Sequence, residues 1–341
     1  MLTIDGSRGE GGGQILRSSL ALALATGTPF RIERIRAGRA RPGLMRQHLT
    51  ALEAATAVGD ASVEGAAIGS REVVFRPGRV RAGTYRFAVG TAGSAGLVLQ
   101  TVLLPLATAG APSALALEGG THNPHAPPFD FLAGAFLPLL RRMGARVEAR
   151  LERAGFYPAG GGRMAIEIGE ALALTPLDLP TRGTTLRRRA RALVSRLPRQ
   201  IGDRELAVVR SRLGWAADEL EVVVLGEGMA GPGNVLLLEI ESAHVTEVFT
   251  GFGEVGVRAE AVAEQAAQEA RSYLAADVPV GPHLADQLLL PLALAGGGRF
   301  RTVPLTRHAT TNIEVIRQFL GRSIDVAPVG DRAVEVTVGA E

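Results

Sequence analysis

The sequence predicts a mixed α/β (α+β) fold in which three repeated helix-strand-helix-strand units surround a pseudo-threefold core, with a small α/β domain inserted. Two observations lead to this prediction. The octapeptide at 103–110, Leu-Leu-Pro-Leu-Ala-Thr-Ala-Gly, returns almost letter for letter at 289–296, and a fainter copy lies at 22–27. Helix-like and strand-like apolar patterns also alternate along each copy, which is typical of α/β proteins.

Each copy contains an apolar helix that ends at a glycine, then a short strand, a polar turn and a second helix. In the first copy the pattern predicts a helix at 14–26, a strand at 30–35 and a helix at 43–58. The corresponding segments lie at 94–109, 113–117 and 127–143 in the second copy, and at 284–295, 299–303 and 311–320 in the third.

The spacing of the copies predicts the domain organisation. Gly27, Gly110 and Gly296 end the first helix of each copy, and the second interval is more than twice as long as the first. We therefore predict a large repeat domain over 1–180 and 276–341 and an inserted small α/β domain over 181–275. Within the insertion, the patterns predict strands at 221–225 and 235–241 and a helix at 259–273.

Two absences from the composition narrow the chemistry. The 341 residues include no cysteine, and the 37 basic residues are all arginine. Disulfides, thiolate metal sites, thiol nucleophiles, a Walker lysine, a Schiff base and a lysyl-nucleotide intermediate are therefore excluded. A covalent intermediate, if one forms, must be carried by histidine, serine, threonine, tyrosine or a carboxylate.

The sequence predicts neither a membrane span nor a secretory signal. The apolar stretch at 97–117 is interrupted by Pro105, Gly110 and Pro112. Asp5, Arg8 and Glu10 lie where the apolar region of a signal would begin. A cytoplasmic location is the resulting expectation. The net charge of +3 is too small to indicate nucleic acid by itself, and the run of arginines at 187–191 is interpreted as a solvated face rather than a binding surface.

Polar side chains recur at two equivalent places in the three copies. One set lies ten residues before the helix-ending glycine, and the other lies twelve residues after it. The first set is Arg17, Gln100 and Asp286, and the second is Arg39, His122 and His308. Because buried polar groups are costly unless they are paired, the recurrence predicts either a shared site or a structural polar network between the copies.

The surroundings of these residues favour an anion. Arg36, Arg39, Arg41 and Arg46 cluster at a strand-to-helix turn, where free backbone N–H groups attract phosphate. Glu10 lies in a glycine-rich loop and could bind a divalent cation together with phosphate oxygens. The sequence therefore predicts a polyphosphate site with one carboxylate available to a metal.

His308 is the better candidate for a nucleophile. Arg307 precedes it and a helix follows it, so a positive local potential favours the neutral imidazole at pH 7. His122 is equivalent by position, and spacing alone does not exclude it.

Seven motifs in order resemble those of the RNA 3′-terminal phosphate cyclase family. They are Gly9-Glu-Gly-Gly-Gly-Gln-Ile-Leu-Arg17, Arg36-Ala-Gly-Arg-Ala-Arg-Pro-Gly43, Arg46-Gln-His48, Gly90-Thr-Ala-Gly-Ser94, Gly155-Phe-Tyr-Pro-Ala-Gly-Gly-Gly162, Leu284-Ala-Asp-Gln287, and His308 with Thr311-Asn312. The resemblance implies an ATP-dependent enzyme that adenylylates His308, passes AMP to an RNA 3′-phosphate and releases AMP as the 2′-hydroxyl closes a 2′,3′-cyclic phosphate. RNA 3′-phosphate ends are the implied partner.

The resemblance also implies roles for individual residues. The nucleotide would be bound by Gln100, His283, Leu284, Ala285, Asp286 and Gln287, with Pro127 and Phe131 beside the adenine. The ATP or RNA phosphates would be bound by Arg17, Arg36, Arg39 and Gln47, and Mg²⁺ or Mn²⁺ by Glu10. At His122 and His283 the sequence departs from the family pattern.

Two other functions fit the same repeats. One is a catalytically silent, RNA-binding relative of the cyclases that acts in ribosome assembly, and the presence of His308 counts against it. The other is an enolpyruvyl-type transferase, which would not need His308. The 4% aromatic content favours recognition of the terminal phosphate over extensive stacking on bases.

Overall fold

A computed structural model describes residues 1–226 and 228–339. Its strands are β1 (Leu2–Asp5), β2 (Phe30–Glu33), β3 (Ser62–Glu64), β4 (Val73–Arg76), β5 (Thr84–Ala88), β6 (Ser113–Gly119), β7 (Val147–Arg153), β8 (Gly162–Ile168), β9 (Leu177–Leu179), β10 (Thr185–Ser195), β11 (Leu220–Leu225), β12 (Gly233–Ser242), β13 (Thr246–Phe252), β14 (Gly298–Thr302), β15 (Ile324–Pro328) and β16 (Val334–Val338). Its α-helices are α1 (Gln14–Thr26), α2 (Arg46–Val58), α3 (Ala95–Ala107), α4 (Phe129–Phe131), α5 (Leu137–Arg142), α6 (Gln200–Leu213), α7 (Ala259–Ala276), α8 (Pro282–Leu294) and α9 (Arg307–Leu320). The predicted mixed α/β fold is confirmed.

Three of the sheets share one pattern of strands. Their orders are β1-β2-β4-β3, β5-β6-β8-β7 and β9-β14-β16-β15. In each sheet the first pair is parallel and the next two pairs are antiparallel. The parallel pairs require crossover connections, and α1 and α3 provide them in the first two sheets. This shared pattern follows the sequence repeat, while the arrangement of the units about a pseudo-threefold axis stays a prediction.

The remaining sheet, with the order β11-β10-β12-β13, is formed within the predicted insertion. One face packs on α6 and α7 around a second apolar cluster that includes Ala190, Leu236 and the buried Trp215. The opposite face contributes Leu193 and Leu237 to the main core. The sheet lies inside the predicted bounds, and the boundaries at 181 and 275 themselves stay a prediction.

Several predicted element boundaries were wrong by one to four residues, and four of these differences have clear local reasons. Strand β2 ends before Arg34 because Arg34 has a φ of 54°, outside the β region. Helix α2 begins after Gly43, whose φ of 82° is not helical. The helix predicted at 127–143 begins after Pro128 and passes through a π-helical turn, Leu132–Phe136. Helix α9 starts four residues earlier than predicted, because the Thr306 hydroxyl caps it by accepting the Ala309 N–H at 3.2 Å.

The apolar stretch at 97–117 forms most of α3 and β6, as its interruptions indicated. None of the helices in residues 1–226 and 228–339 is both long enough and apolar enough to cross a membrane.

Candidate active site

Three segments from the two ends of the chain meet at one place. They are the glycine-rich loop before α1, the first turns of α8 and the N-terminus of α9. Pro282 is the first residue of α8, where a backbone N–H would have no acceptor within the helix, so proline costs no hydrogen bond there. Helices α1 and α8 both pack against α9, so residues almost three hundred positions apart become neighbours.

His308 lies in the first turn of α9 with its two ring nitrogens in different surroundings. Nδ1 is 2.8 Å from the side-chain oxygen of Gln14, and Nε2 is 3.8 Å from Oε1 of Glu10. The side chain is 54% exposed, so a substrate can reach it. Partial burial lowers the pKa of His308, with Arg17 and Arg39 acting in the same direction and Asp286 opposing them. The predicted neutral imidazole agrees with this direction.

Asp286 is the centre of a hydrogen-bonded cluster behind His308. The Gln14 amide nitrogen lies 2.6 and 2.8 Å from the two Asp286 carboxylate oxygens, and Asn312 Nδ2 donates to Oδ1 at 3.2 Å. Ser18 in turn donates to the Asn312 oxygen at 2.8 Å. Burial raises the pKa of Asp286, while the hydrogen bond from Gln14 and the charges of His308 and Arg17 lower it.

Arg17 is partly buried beneath the glycine-rich loop. Burial lowers its pKa to about 10, so the guanidinium stays charged at pH 7. Its Nε is buried and has no hydrogen-bond partner within residues 1–226 and 228–339. Burial also lowers the pKa of the neighbouring His48 to about 3, and the Arg17 charge acts in the same direction. Arg17 therefore keeps an unused donor and a full positive charge beside His308.

The loop that carries Glu10 is held by the start of α9. The Glu10 N–H donates to the Thr311 hydroxyl at 2.9 Å, and Arg307 donates to the Gly9 carbonyl at 2.7 Å. The Glu10 carboxylate forms an ion pair with Arg39, and its second oxygen, Oε2, is buried without a partner in the part of the chain that the structure describes. Residues 1–226 and 228–339 contain no group of three or more His, Cys, Asp or Glu side chains placed to hold a metal ion.

The structure gives Arg36 and Gln47 local partners. Arg36 donates to the carbonyls of Arg41 and Gly43, at 2.7 and 2.9 Å, so its guanidinium stabilises the arginine-rich turn. Gln47 accepts the Ser94 N–H at 3.1 Å, which joins the first copy to the glycine-rich motif at the start of α3. Their predicted phosphate contacts stay predictions.

Most of the predicted nucleotide contacts lie on α3 and α8. The side chains of Gln100 and Gln287 are hydrogen-bonded to each other, joining the two helices. Pro127 lies beside the first turn of α3, where its carbonyl is 3.1 Å from the position a Cβ would take at Gly96. The other predicted contacts differ in exposure: Leu284, Ala285 and Phe131 are buried, whereas His283 is 63% exposed with its Nε2 3.8 Å from a carboxylate oxygen of Glu269.

His122 belongs to a separate, buried network. Its Nε2 is 2.8 Å from Asp130, its Nδ1 is 2.9 Å from the Thr121 hydroxyl, and its ring stacks on Phe156 at 5.3 Å between centroids. The side chain is 0% exposed. With both nitrogens occupied and no access for a substrate, His122 does not fit the nucleophile that its position left open. His122 instead fits the other interpretation of the recurring polar residues, in which they form a structural polar network.

The run of arginines at 187–191 lies on β10, and acidic residues neutralise its charge. Arg187 binds Glu239 and Glu241, and Arg189 binds Glu221. The predicted solvated face agrees with Arg187 and Arg189, whereas Arg191 at the end of the run is only 21% exposed.

Two residues at the site went unpredicted. Gln14 and Asn312 were recognised only as letters of motifs, although a polar residue on an apolar helix face is a usable signal. In the structure both side chains are at most 8% exposed. What the sequence does not contain is the pairing of these residues across the length of the chain.

Comparison with known proteins gives the family. The sequence model of RNA 3′-terminal phosphate cyclase matches residues 8–326. The chain is 53% identical over 327 residues to the RNA 3′-terminal phosphate cyclase of Koribacter versatilis (strain Ellin345), covering 96% of this chain and 92% of the relative. It is 52% identical over 335 residues to that of Ectopseudomonas mendocina (strain ymp), covering 98% and 97%, and 52% identical over 320 residues to that of Salmonella enteritidis PT4 (strain P125109), covering 94% of each. The chain belongs to the RNA 3′-terminal phosphate cyclase family.

Proposed function

We propose that this protein uses ATP to convert an RNA 3′-terminal phosphate into a 2′,3′-cyclic phosphate. The observation that carries the proposal is the imidazole of His308, which is 54% exposed, lies near Arg17 and Arg39 and has a pKa lowered chiefly by its partial burial. A neutral ring nitrogen that is open to solvent can act as a nucleophile toward a phosphorus atom.

The reaction has three displacements at phosphorus. His308 Nε2 attacks the α-phosphorus of ATP and pyrophosphate leaves. An oxygen of the RNA 3′-phosphate then attacks the phosphorus of the histidine-AMP, and the P–N bond breaks. Finally the 2′-oxygen attacks the 3′-phosphorus, AMP leaves, and the hydroxyl proton passes to solvent.

Activation of the phosphate is the main task of the enzyme. The 2′-hydroxyl is already tethered beside its target, and such intramolecular geometry can replace roughly 7–11 kcal/mol of the barrier. What the bare phosphate lacks is a good leaving group. Adenylylation supplies AMP in that role.

Arg17 and Arg39 are suited to the phosphate charge. Arg17 has an unused, buried Nε donor, and Arg39 is 47% exposed and reaches the Glu10 loop. Guanidinium groups can bind phosphate oxygens in pairs of parallel hydrogen bonds. We assign both side chains to the triphosphate and to the RNA end, with Arg36 and Gln47 holding the adjoining turns and completing the site.

Glu10 fits a divalent cation. Its buried Oε2 has no hydrogen-bond partner in residues 1–226 and 228–339, and a hard cation needs such an anionic oxygen. A single carboxylate suits Mg²⁺ or Mn²⁺, which often keep several waters and share phosphate oxygens. When bound, the metal would neutralise charge on the phosphates.

The adenosine is assigned to the surface between α3 and α8. Gln100 and Gln287 supply amide groups there, and Asp286 connects this surface to His308. His283, Leu284, Ala285, Pro127 and Phe131 are assigned to the surrounding wall. Amide groups recognise the polar edge of a base, and apolar neighbours cover its face.

The test is covalent labelling of the denatured protein. After incubation with ATP labelled at the α-phosphate and Mg²⁺, we expect an acid-labile, alkali-stable label on the wild type and none on His308→Ala. The exposed His125 provides a matched control, and His125→Ala and His122→Ala should both retain the label. Label that persists on His308→Ala would contradict the assignment. A protein that binds RNA 3′ ends but never acquires label would instead be a silent relative.

A further inference from the structure

We propose that Gln14 is a positioning residue that keeps the proton of the His308 imidazole on Nδ1 and so leaves the Nε2 lone pair free. This inference rests on the proposed function only in naming Nε2 as the attacking atom. The hydrogen bonds that support it exist independently of ATP.

The argument starts at the Asp286 carboxylate, which only accepts hydrogen bonds when ionised. The Gln14 amide nitrogen faces both of its oxygens, at 2.6 and 2.8 Å. The Asn312 amide nitrogen donates to Oδ1 and to the main-chain carbonyl oxygen of Asp286, each at 3.2 Å. The orientation of Asn312 is fixed in turn, because its oxygen accepts the Ser18 hydroxyl at 2.8 Å.

With its nitrogen turned toward Asp286, Gln14 must present its oxygen to His308. That oxygen lies 2.8 Å from Nδ1, and an amide oxygen only accepts. Nδ1 must therefore carry the hydrogen. Because a neutral imidazole has a single N–H, Nε2 keeps its lone pair.

A competing acceptor makes this control necessary. Oε1 of Glu10 lies 3.8 Å from Nε2, the ring nitrogen that Gln14 does not contact. A carboxylate there attracts the proton to Nε2, which would block the nucleophile. Arg39 weakens that attraction through its ion pair with Glu10, and the Gln14–Asp286 pair holds the proton at the opposite end of the ring.

The chemistry requires an amide at this position. Glutamate would turn a second carboxylate toward Asp286, and methionine, which has a similar length, would leave His308 without a partner at Nδ1. Gln14 is the first residue of α1 and is 8% exposed, so water does not readily replace its amide. One side chain thus connects the first copy of the repeat to two residues of the third.

The direct test is the tautomer of His308 in the protein without nucleotide. In protein labelled with ¹⁵N-histidine, long-range ¹⁵N–¹H correlation spectra distinguish a protonated from an unprotonated ring nitrogen, and His308→Ala identifies the signals. We expect a protonated Nδ1 in the wild type and proton transfer to Nε2 in Gln14→Met. Ser19→Ala is the matched control, because Ser19 lies on the same helix, is 0% exposed and has no hydrogen-bond partner for its hydroxyl in the described residues.

The kinetic test uses one turnover at saturating ATP. Gln14→Met should form histidine-AMP about tenfold more slowly, the effect of one net hydrogen bond of roughly 1.4 kcal/mol, while the Kd for ATP is unchanged. Ser19→Ala should keep the wild-type rate. A wild-type His308 protonated on Nε2 would overturn the proposal even if Gln14→Met fails to fold, and so would a folded Gln14→Met that keeps Nδ1 protonated. If the wild type acquires no label at all, the proposed function fails while the tautomer result stands by itself.

Discussion

The guanidinium of Arg191 lies 2.7 Å from the carboxylate of Asp130, so a strand of the inserted sheet is tied to the helix that follows His122. Both side chains are mostly buried, at 21% and 13% exposed. The other Asp130 oxygen binds the His122 ring at 2.8 Å. Burial raises the pKa of Asp130, but the hydrogen bond and charge of His122 and the Arg191 charge together hold it below its usual value.

Loss of Arg191 should destabilise the protein without removing its nucleophile. We expect Arg191→Met to lower the free energy of unfolding by about 2 kcal/mol, because Asp130 keeps a largely buried charge with one partner fewer. Arg187→Met removes an exposed arginine from the same strand and should cost less than about 1 kcal/mol. Denaturant unfolding measures both values. Equal losses of unfolding free energy in the two variants would mean that the buried Arg191–Asp130 pair stabilises the protein no more than an exposed ion pair does.

Replacement of Glu10 should change the metal requirement. Glu10→Gln keeps the size of the side chain but removes the anionic oxygens that suit a hard cation. We expect the Mg²⁺ concentration for half-maximal adenylylation to rise at least about tenfold, corresponding to a loss of roughly 1.4 kcal/mol. Glu72→Gln, at an exposed carboxylate, is the control. An unchanged Mg²⁺ midpoint in Glu10→Gln would assign the cation to other ligands.

The repeat was sufficient to predict the mixed α/β fold class, and the recurring polar positions identified residues on both sides of His308, Arg17 and Asp286 among them. The helix predicted at 14–26 has the observed bounds of α1, because its apolar run is closed by a glycine with a φ of 71°. The start of α9 was missed because a threonine cap extends the helix beyond its apolar pattern.

Equivalent positions in a repeat do not imply equivalent roles. His122 and His308 occupy corresponding places, yet one is sealed against Phe156 and Asp130 and the other is 54% exposed. The repeat fixes the backbone position, whereas access and partners come from segments that differ between the copies. The Gln14–His308 contact was unpredictable for the same reason, since it joins residues 294 positions apart.

Arg39 should contribute to binding of the RNA end through charge. Each phosphate contact by an arginine releases counterions, so its loss reduces the dependence of affinity on salt. We expect Arg39→Ala to weaken RNA binding and to reduce the slope of log K against log salt by about 0.7, the value for one contact on a single strand. Titrations at several salt concentrations measure this slope. Arg150→Ala is the control, because Arg150 lies on β7 and is paired with Glu167, and it should leave the salt slope unaltered. An unaltered slope in Arg39→Ala would mean that Arg39 does not contact the RNA phosphates.

Glu205 is a buried carboxyl on α6, one of the two helices that pack on the inserted sheet. It is 0% exposed on α6, with Oε2 accepting the Asn234 amide at 3.0 Å and Oε1 without a partner in residues 1–226 and 228–339. Burial raises its pKa from 4.5 to about 7, against the opposing effects of Asn234 and Arg204. The folded protein therefore binds this proton more tightly than the unfolded chain does.

A raised pKa in the folded state sets the direction of the pH dependence. The stability contributed by protonated Glu205 is fully present below pH 4.5 and is lost as the pH rises through about 7. Glu205→Gln keeps an acceptor for Asn234 and cannot ionise, so at pH 8 it should exceed the wild type in unfolding free energy by about 3 kcal/mol. At pH 4 the gain should disappear. Denaturant unfolding across this range measures the difference, with the exposed Glu264→Gln as a control expected to show no such trend. A difference that does not vary with pH would mean that the pKa of Glu205 is the same in the folded and unfolded states, and that burial does not raise it.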